Sequence, residues 1–249
     1  MRYRNRNVRV VLDGQSLQVW QHQQDGLRLA GLQTEISKSF GCSAAILDSF
    51  TTESLDDTSV VLIPTRIAPM TPSECDVLRE FVERGGGLLL LTNHADWPGH
   101  NPHDFTEHDR SIAGLFGLSI ERAWFRTRQG TTLMSGDNLN RTHPILSAKG
   151  DDGTPIDGIV VNNSTAITSY IGERIVSLPH SMVDERAGIS PAGRAFAAAI
   201  PVQKGRVVVL ADSGFIGSAG TMAPGPGLLD QGSNSIFLIN AIRWAAGLL

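Results

Sequence analysis

The sequence predicts an α/β protein, a doubly wound and mostly parallel sheet flanked by helices, with a small β-rich region inserted in the middle. Three observations predict it. Short β-branched or leucine-rich runs alternate with helical periodicity from residue 8 to residue 91. Leu88-Leu89-Leu90-Leu91 is apolar at every position, as a strand covered on both faces must be. A second such run, Val207-Val208-Val209-Leu210-Ala211, precedes an apolar closing helix.

The first strand is Val8 to Leu12, ended by the turn signal Asp13-Gly14. A helix follows from about Gly26 to Phe40, with Leu27, Ala30, Gly31, Ile36 and Phe40 at helical spacing and Gly41 as its C-terminal cap. Ala44 to Leu47 and Val60 to Ile63 are further strands, ended by Asp48 and by Pro64-Thr65-Arg66. Thr71-Pro72-Ser73-Glu74 combines an N-cap, proline at the first helical position and glutamate at the third, which is a capping box. The helix it opens carries Val77, Leu78, Phe81 and Val82 on one face, and Gly85-Gly86-Gly87 ends it.

The stretch from about Trp97 to Ala199 is rich in Gly, Asn, Asp and Thr. Its short apolar runs, Ile159 to Val161, Ala166-Ile167 and Ile175-Val176, predict insertions and a small antiparallel sheet. Asp109 suits the N-cap of a helix containing Ile112, Leu115 and Phe116. Regularity returns with Ala195 to Val202, the Lys204-Gly205 turn and the Arg206 to Ala211 strand, which ends at Asp212-Ser213. Gly214 to Asp230 reads as a long loop suited to a lid, and Ser233 to Ala246 as the closing helix. One domain over residues 1–249, with an irregular insertion at about 97–199, is the expected organisation.

Composition narrows the function. With 249 residues, 41% hydrophobic and 18% charged, the chain can bury a large core, and a net charge of -4 offers no broad basic surface for nucleic acid. The basic segment Arg2 to Arg9 is not followed by the apolar stretch of a signal peptide, and no apolar run approaches the roughly 20 residues that span a bilayer. Two cysteines, Cys42 and Cys75, fit a reducing compartment, so a cytoplasmic protein is expected. The expected partner is a small polar molecule, neither nucleic acid nor membrane, with a homo-oligomer left open.

In such sheets ligands bind beyond the carboxyl ends of the strands, which puts Asp13, Asp48, Thr65, Arg66, Asn93, His94, Asp96, Asp212 and Ser213 along one rim. Four of the seven histidines, His94, His100, His103 and His108, fall in one short segment. Imidazole and carboxylate suit a divalent metal, so His94, Asp96, His100 and His103 are candidate ligands, although no zinc pattern such as His-Glu-x-x-His is present and a polar surface loop explains the segment equally. No other cofactor is implied. Trp97, with polar neighbours, suits a sugar platform or a lid over the sheet. Asp13 and Asp212 facing His94 across a crevice suit acid–base work or a shared cation, whereas capping of a turn is the ordinary duty of Asp212 and Ser213 after a strand.

Several segments together carry a resemblance. They are Val60 to Pro64, the capped helix running into Arg84-Gly85-Gly86-Gly87 and on to Thr92-Asn93-His94, and Gly205 to Ser213 with the closing helix through Asn240, Arg243 and Trp244. They resemble the class I glutamine amidotransferase-like superfamily, in particular its trehalose-utilisation-type, gliding-motility and intraflagellar-transport branches, and they imply a flavodoxin-like α/β fold. His143-Pro144-Ile145 looks like a turn of the same branches, and a turn histidine beside a prolyl ring accounts for it as well.

Working members of that superfamily place a cysteine in a Gly-x-Cys-x-Gly turn and add a His-x-Glu pair. Here the turn reads Thr92-Asn93-His94-Ala95-Asp96, and the later strand ends in Asp212-Ser213-Gly214. Cys42 introduces a strand, and Cys75 falls in the first turn of a helix expected to begin at the opposite end of the sheet. Cysteine-dependent glutaminase chemistry is therefore excluded. The expectation is a catalytically divergent protein that binds a small polar, carbohydrate-like ligand at the strand ends through Asp13, Arg66, Asn93, Trp97 and Ser213, with His94, Asp96 and Asp212 as candidate catalytic groups. Two rivals stand beside it: a metal-dependent hydrolase or lyase using the histidine-rich segment, and a non-enzymatic protein-interaction module.

Overall fold

The computed structural model describes residues 8–16, 29–66, 68–94, 105–128, 130–169, 171–185, 187–191, 193–217 and 227–249. The basic amino-terminal arm, Asp96, Trp97, His100, His103 and the glycine-rich stretch 218–226 lie outside them.

The alternation read from the sequence is present in the first third of the chain. In order come β1 (Val10–Asp13), α1 (Leu29–Phe40), β2 (Ala45–Leu47), the single-turn α2 (Thr52–Leu55), β3 (Val60–Pro64), α3 (Pro72–Glu83) and β4 (Gly87–Leu91). The capping box forms as expected: the Thr71 side chain accepts the Glu74 N–H, the Glu74 carboxylate accepts the Thr71 N–H, and Pro72 opens the helix. Then follow α4 (Phe105–Gly114), β5 (Ser119–Arg126), β6 (Thr132–Ser135), α5 (Pro144–Ser147), β7 (Gly158–Val161), β8 (Asn163–Ser169), β9 (Glu173–Ser177), β10 (Val183–Asp184), β11 (Ala195–Val202), β12 (Gly205–Leu210) and α6 (Asn234–Ala245).

Among the described residues ten strands form one mixed sheet, in the order β10-β5-β8-β11-β12-β4-β3-β1-β2, with β9 sharing the far edge of β11. From β12 to β2 every neighbour is parallel, and Val207 pairs with Leu88, Leu89 with Leu62, and Leu62 with Leu12. Except for the edge strand β2, these strands are buried at nearly every position, which explains their continuous apolar character. The middle of the chain meets expectation in part. A small antiparallel sheet is present as the β6–β7 pair, whereas β5, β8, β9 and β10 continue the central sheet in antiparallel sense. Their alternating buried and exposed positions resemble an isolated hairpin in sequence, and the partner strand β11 lies far along the chain.

Helices cover the parallel half on both faces. A Cβ added to Gly87 would lie 2.5 Å from the Ala245 carbonyl oxygen, so α6 presses on the sheet where β4 has no side chain. Gly205, whose neighbour Arg206 reaches back to the carbonyls of Trp244 and Leu249 on the α6 side, instead abuts the Val82 carbonyl of α3. Thus α1 and α6 form one layer and α2 and α3 the other. Both layers fix where the parallel strands end.

The polar residues of α6 are structural. Asn240 donates to the carbonyls of Ile145 and Ala148 at 3.2 and 2.9 Å, and Arg243 grips both oxygens of Asp151 at 2.7 and 2.8 Å. His143 caps α5 by accepting the Ile145 N–H, and its ring packs 5.3 Å from that of Trp244. The His-Pro-Ile turn is a packing device.

Candidate functional site

The sheet order sets the order of the rim. From β12 to β2 the parallel strands end at Asp212, Asn93, Thr65 with Arg66, Asp13, and Asp48. Most of these polar residues are buried: Asp13 and Thr65 are 0% exposed, Arg66 2%, Asp212 and Ser213 4%, and His94 6%. Asp48 is exposed and Asn93 half-buried.

Arg66 is the centre of one cluster. Its Nε lies 3.2 Å from Asp13 Oδ2 and its Nη2 3.6 Å from Glu74 Oε1. The Nε–H is not aimed at the carboxylate, so the pair is one of charge more than of hydrogen bonding, and Arg66 Nε, Arg66 Nη1 and Asp13 Oδ1 have no hydrogen-bond partner among the described residues. Asp13 Oδ2 is held by Ser16, whose N–H and hydroxyl donate to it at 3.0 and 2.7 Å. Burial raises the Asp13 carboxyl above its ordinary value, against the opposing pull of Arg66 and Ser16. Glu74 therefore both caps α3 and faces Arg66.

A second carboxylate lies at the heart of the rim. Asp109 was expected to cap α4, but it lies within that helix, and its side chain faces inward to the sheet. It accepts the Thr65 hydroxyl at 2.6 Å, the Asn93 N–H at 3.0 Å and the Arg66 N–H at 3.3 Å, so it ties the ends of β3 and β4 together. Thr65 is held there at φ 57°, a left-handed conformation that costs a β-branched residue about 1–3 kcal/mol and survives only where neighbours enforce it. Complete burial pushes the Asp109 carboxyl up to about 7, with Thr65, Asn93 and Arg66 opposing. The sequence held a signal: Asp109, Ile112, Ala113 and Phe116 share the i, i+3, i+4, i+7 stripe that this helix buries, so the carboxylate stands on an apolar face.

Asp212 ends β12, and its Oδ1 accepts the Gly214 N–H at 3.0 Å, the turn-capping contact that the strand end invites. Burial raises it to about 7, opposed only by that N–H. A carboxyl poised near neutrality can give or take a proton at ordinary pH. The His94 N–H donates to Asn93 Oδ1 at 2.9 Å, and its ring lies 5.2 Å from that of Trp124 at an interplanar angle of 12°, a stacked pair. Trp124 in turn donates its indole N–H to Asn163 at 3.0 Å.

The structure thus brings Asp13, Arg66, Asn93 and Asp109 together and sets Asp212 and Ser213 at the neighbouring strand end. Asp96, Trp97, His100 and His103 fall outside the described residues, and among the described residues no group of three or more His, Cys, Asp or Glu is placed to hold a metal. Cys75 corrects an expectation. A helix that follows a parallel strand starts at that strand's carboxyl end, so α3 begins on the rim side, where Glu74 meets Arg66. The thiol is partly buried, and burial together with the Glu74 charge pushes it up, which keeps it protonated and unactivated. Cys42 is exposed and contacts the Val8 carbonyl.

No family profile matches the sequence, and no curated protein matches it. Solved structures do. The mmIFT52 N-terminal domain superposes with a TM-score of 0.68 at 15% identity, covering 95% of this chain and 97% of its own. A ThuA-like protein from Bacteroides uniformis gives 0.56 at 14% identity, covering 97% of this chain and 92% of its own. A β-galactosidase from Rahnella sp. R3 gives 0.54 at 10% identity, matching 97% of this chain with 32% of its own length. At such identities the likeness is one of fold, and the chain shares that fold with the ThuA-like proteins and the IFT52 N-terminal domain.

Proposed function

We propose that this protein binds a small polar, carbohydrate-like ligand at the carboxyl ends of its parallel strands, without cysteine-dependent glutaminase chemistry. The observation that carries the proposal is the Asp13–Arg66 pair, buried at the carboxyl ends of the parallel strands with one carboxylate oxygen and two guanidinium nitrogens unmatched among the described residues. A buried polar group without a partner costs about 1–3 kcal/mol, and such costs gather where a site is held ready. Asp13 and Arg66 offer acceptor and donors to hydroxyl or amide groups, and Asp109 fixes the loops that carry Arg66 and Asn93.

The test is a melting-temperature screen against monosaccharides, disaccharides, polyols and amino acids at millimolar concentration, repeated with Arg66→Lys. A rise with one chemical class that disappears in Arg66→Lys is the expected result. A flat response across the panel in the native protein contradicts the proposal.

One observation favours a second reading, the protein-interaction module. Most rim groups, Asp13, Thr65, Arg66, Asp212 and Ser213 among them, are nearly inaccessible, as they would be if the fold served as a scaffold. A protein eluting as a complex from its source, with no response in the screen, is the outcome that reading expects. The metal-dependent hydrolase or lyase draws support from Asp212, held near neutrality, and rests on ligands at His94, Asp96, His100 and His103. Elemental analysis of the purified protein, native and His94→Ala, decides that case.

A further inference from the structure

A cavity of about 760 Å³ opens at the antiparallel edge of the sheet, between the end of β5, the turn into β6, and β10. It shares no lining residue with the strand-end rim. Two guanidinium groups line it. Arg126 is fixed, with Cζ 4.8 Å over the Trp124 ring and Nε 2.5 Å from Glu185. Arg128 is exposed, and its guanidinium has no hydrogen bond or ion pair among the described residues. The Arg126 hydrogen bond, and to a smaller extent the Arg128 charge, hold the Glu185 carboxyl below its ordinary value. The other acid of the lining, Asp184, is 6% exposed, and its carboxylate accepts the Trp124 N–H at 3.3 Å. Two guanidinium groups and two carboxylates therefore line the cavity; Arg126 and Glu185 pair with each other and Asp184 is buried, which leaves Arg128 as the guanidinium without an ion pair among the described residues.

Apolar groups complete it. Five large hydrophobic side chains are exposed among the described residues, and three of them gather here: Leu133 and Val183 line the cavity at 59% and 42% exposure, and Ile189, at 45%, is tied to β10 through its carbonyl. Scattered exposed apolar groups mean little, but clustered ones beside a guanidinium that has no ion pair among the described residues mark a binding surface. An added peptide strand is not the fitting occupant. The Asp184 N–H is already bonded to the Ile189 carbonyl and the Asp184 carbonyl to the Gly188 N–H, both at 2.8 Å, so the outer edge of β10 is closed by its own turn.

The geometry points to a binding site for a small amphiphilic anion, a phosphate or carboxylate group on an aromatic or hydrocarbon body. Arg128 and Arg126 take the anionic head, with the hydroxyls of Thr127, Thr131 and Ser181 within the same lining, and Leu133 and Val183 take the body.

Isothermal titration with 1-naphthyl phosphate, inorganic phosphate and 1-naphthol tests this on the full chain. Naphthyl phosphate is expected to bind roughly tenfold or more tightly than either fragment. Arg128→Glu is expected to weaken it by a further factor of about ten or more while leaving the melting temperature unchanged. Leu133→Ser is expected to reduce naphthyl phosphate to the level of inorganic phosphate. No heat from naphthyl phosphate at millimolar concentration, equal binding by Arg128→Glu, or naphthol binding as well as its phosphate would each overturn the assignment.

Discussion

At the residue scale the buried carboxylates of the rim, Asp13, Asp109 and Asp212, differ in what holds them, and their substitutions should differ accordingly. Asp212 has one described partner, the Gly214 N–H, and is raised to about 7 by burial. Its ionisation in the fold is therefore opposed by up to about 4 kcal/mol. Because the folded value lies above the unfolded one, near 3.8, the stability linked to this group is full below about pH 4 and is lost as pH rises to about 7. Asp212→Asn removes that dependence, so the variant should melt above the native protein at pH 8, with the difference narrowing as pH falls and closing by about pH 4. A gap that ignores pH would show that Asp212 is ionised at no cost. Asp109 titrates over the same window, but three donors converge on it. An asparagine there must turn its own N–H groups toward one of them, so Asp109→Asn should lose about 1–3 kcal/mol at pH 8, read by urea unfolding.

At the scale of elements, local rules hold where the chain's own chemistry decides the outcome. The α3 capping box was legible because four consecutive residues carry it, and Thr71→Ala should cost about 1 kcal/mol in denaturant melts. The same change frees Glu74, which also faces Arg66, so it reaches the rim through a helix end. The triple glycine after α3 was legible as a stop, but its second role needed the structure. Gly87 lets α6 sit on β4, and Gly87→Ala should destabilise by several kcal/mol, since an added methyl meets backbone that cannot rotate away. The β-rich middle was legible as strands, one pair of which, β6 and β7, forms the small sheet, while the others join the central one. Residues 119–126 alternate as any half-exposed strand does, and nothing local announces that their partners lie at 163–169 and 183–184.

At the scale of the whole molecule, the parallel half of the sheet was readable because Leu88 to Leu91 and Val207 to Leu210 are buried on both faces, and that alone implies two helix layers. The rim followed from topology, and Asp13, Arg66, Asn93 and Asp212 do meet at adjoining strand ends. The organising carboxylate, Asp109, was harder to find, because it enters the rim from a helix packed across the strand ends and its partners are two backbone N–H groups and a hydroxyl. The fold thus builds a charged, buried rim, and the Asp13–Arg66 pair within it is the basis for the proposal that the site binds a ligand. The most direct measurement is native mass spectrometry of the protein purified without dialysis, alongside Arg66→Lys, with the released small molecules identified. The expected result is a polar, hydroxyl-rich molecule bound one to one in the native protein and absent from the variant. The naked polypeptide mass in both, with no polar ligand recovered from either, would contradict the account.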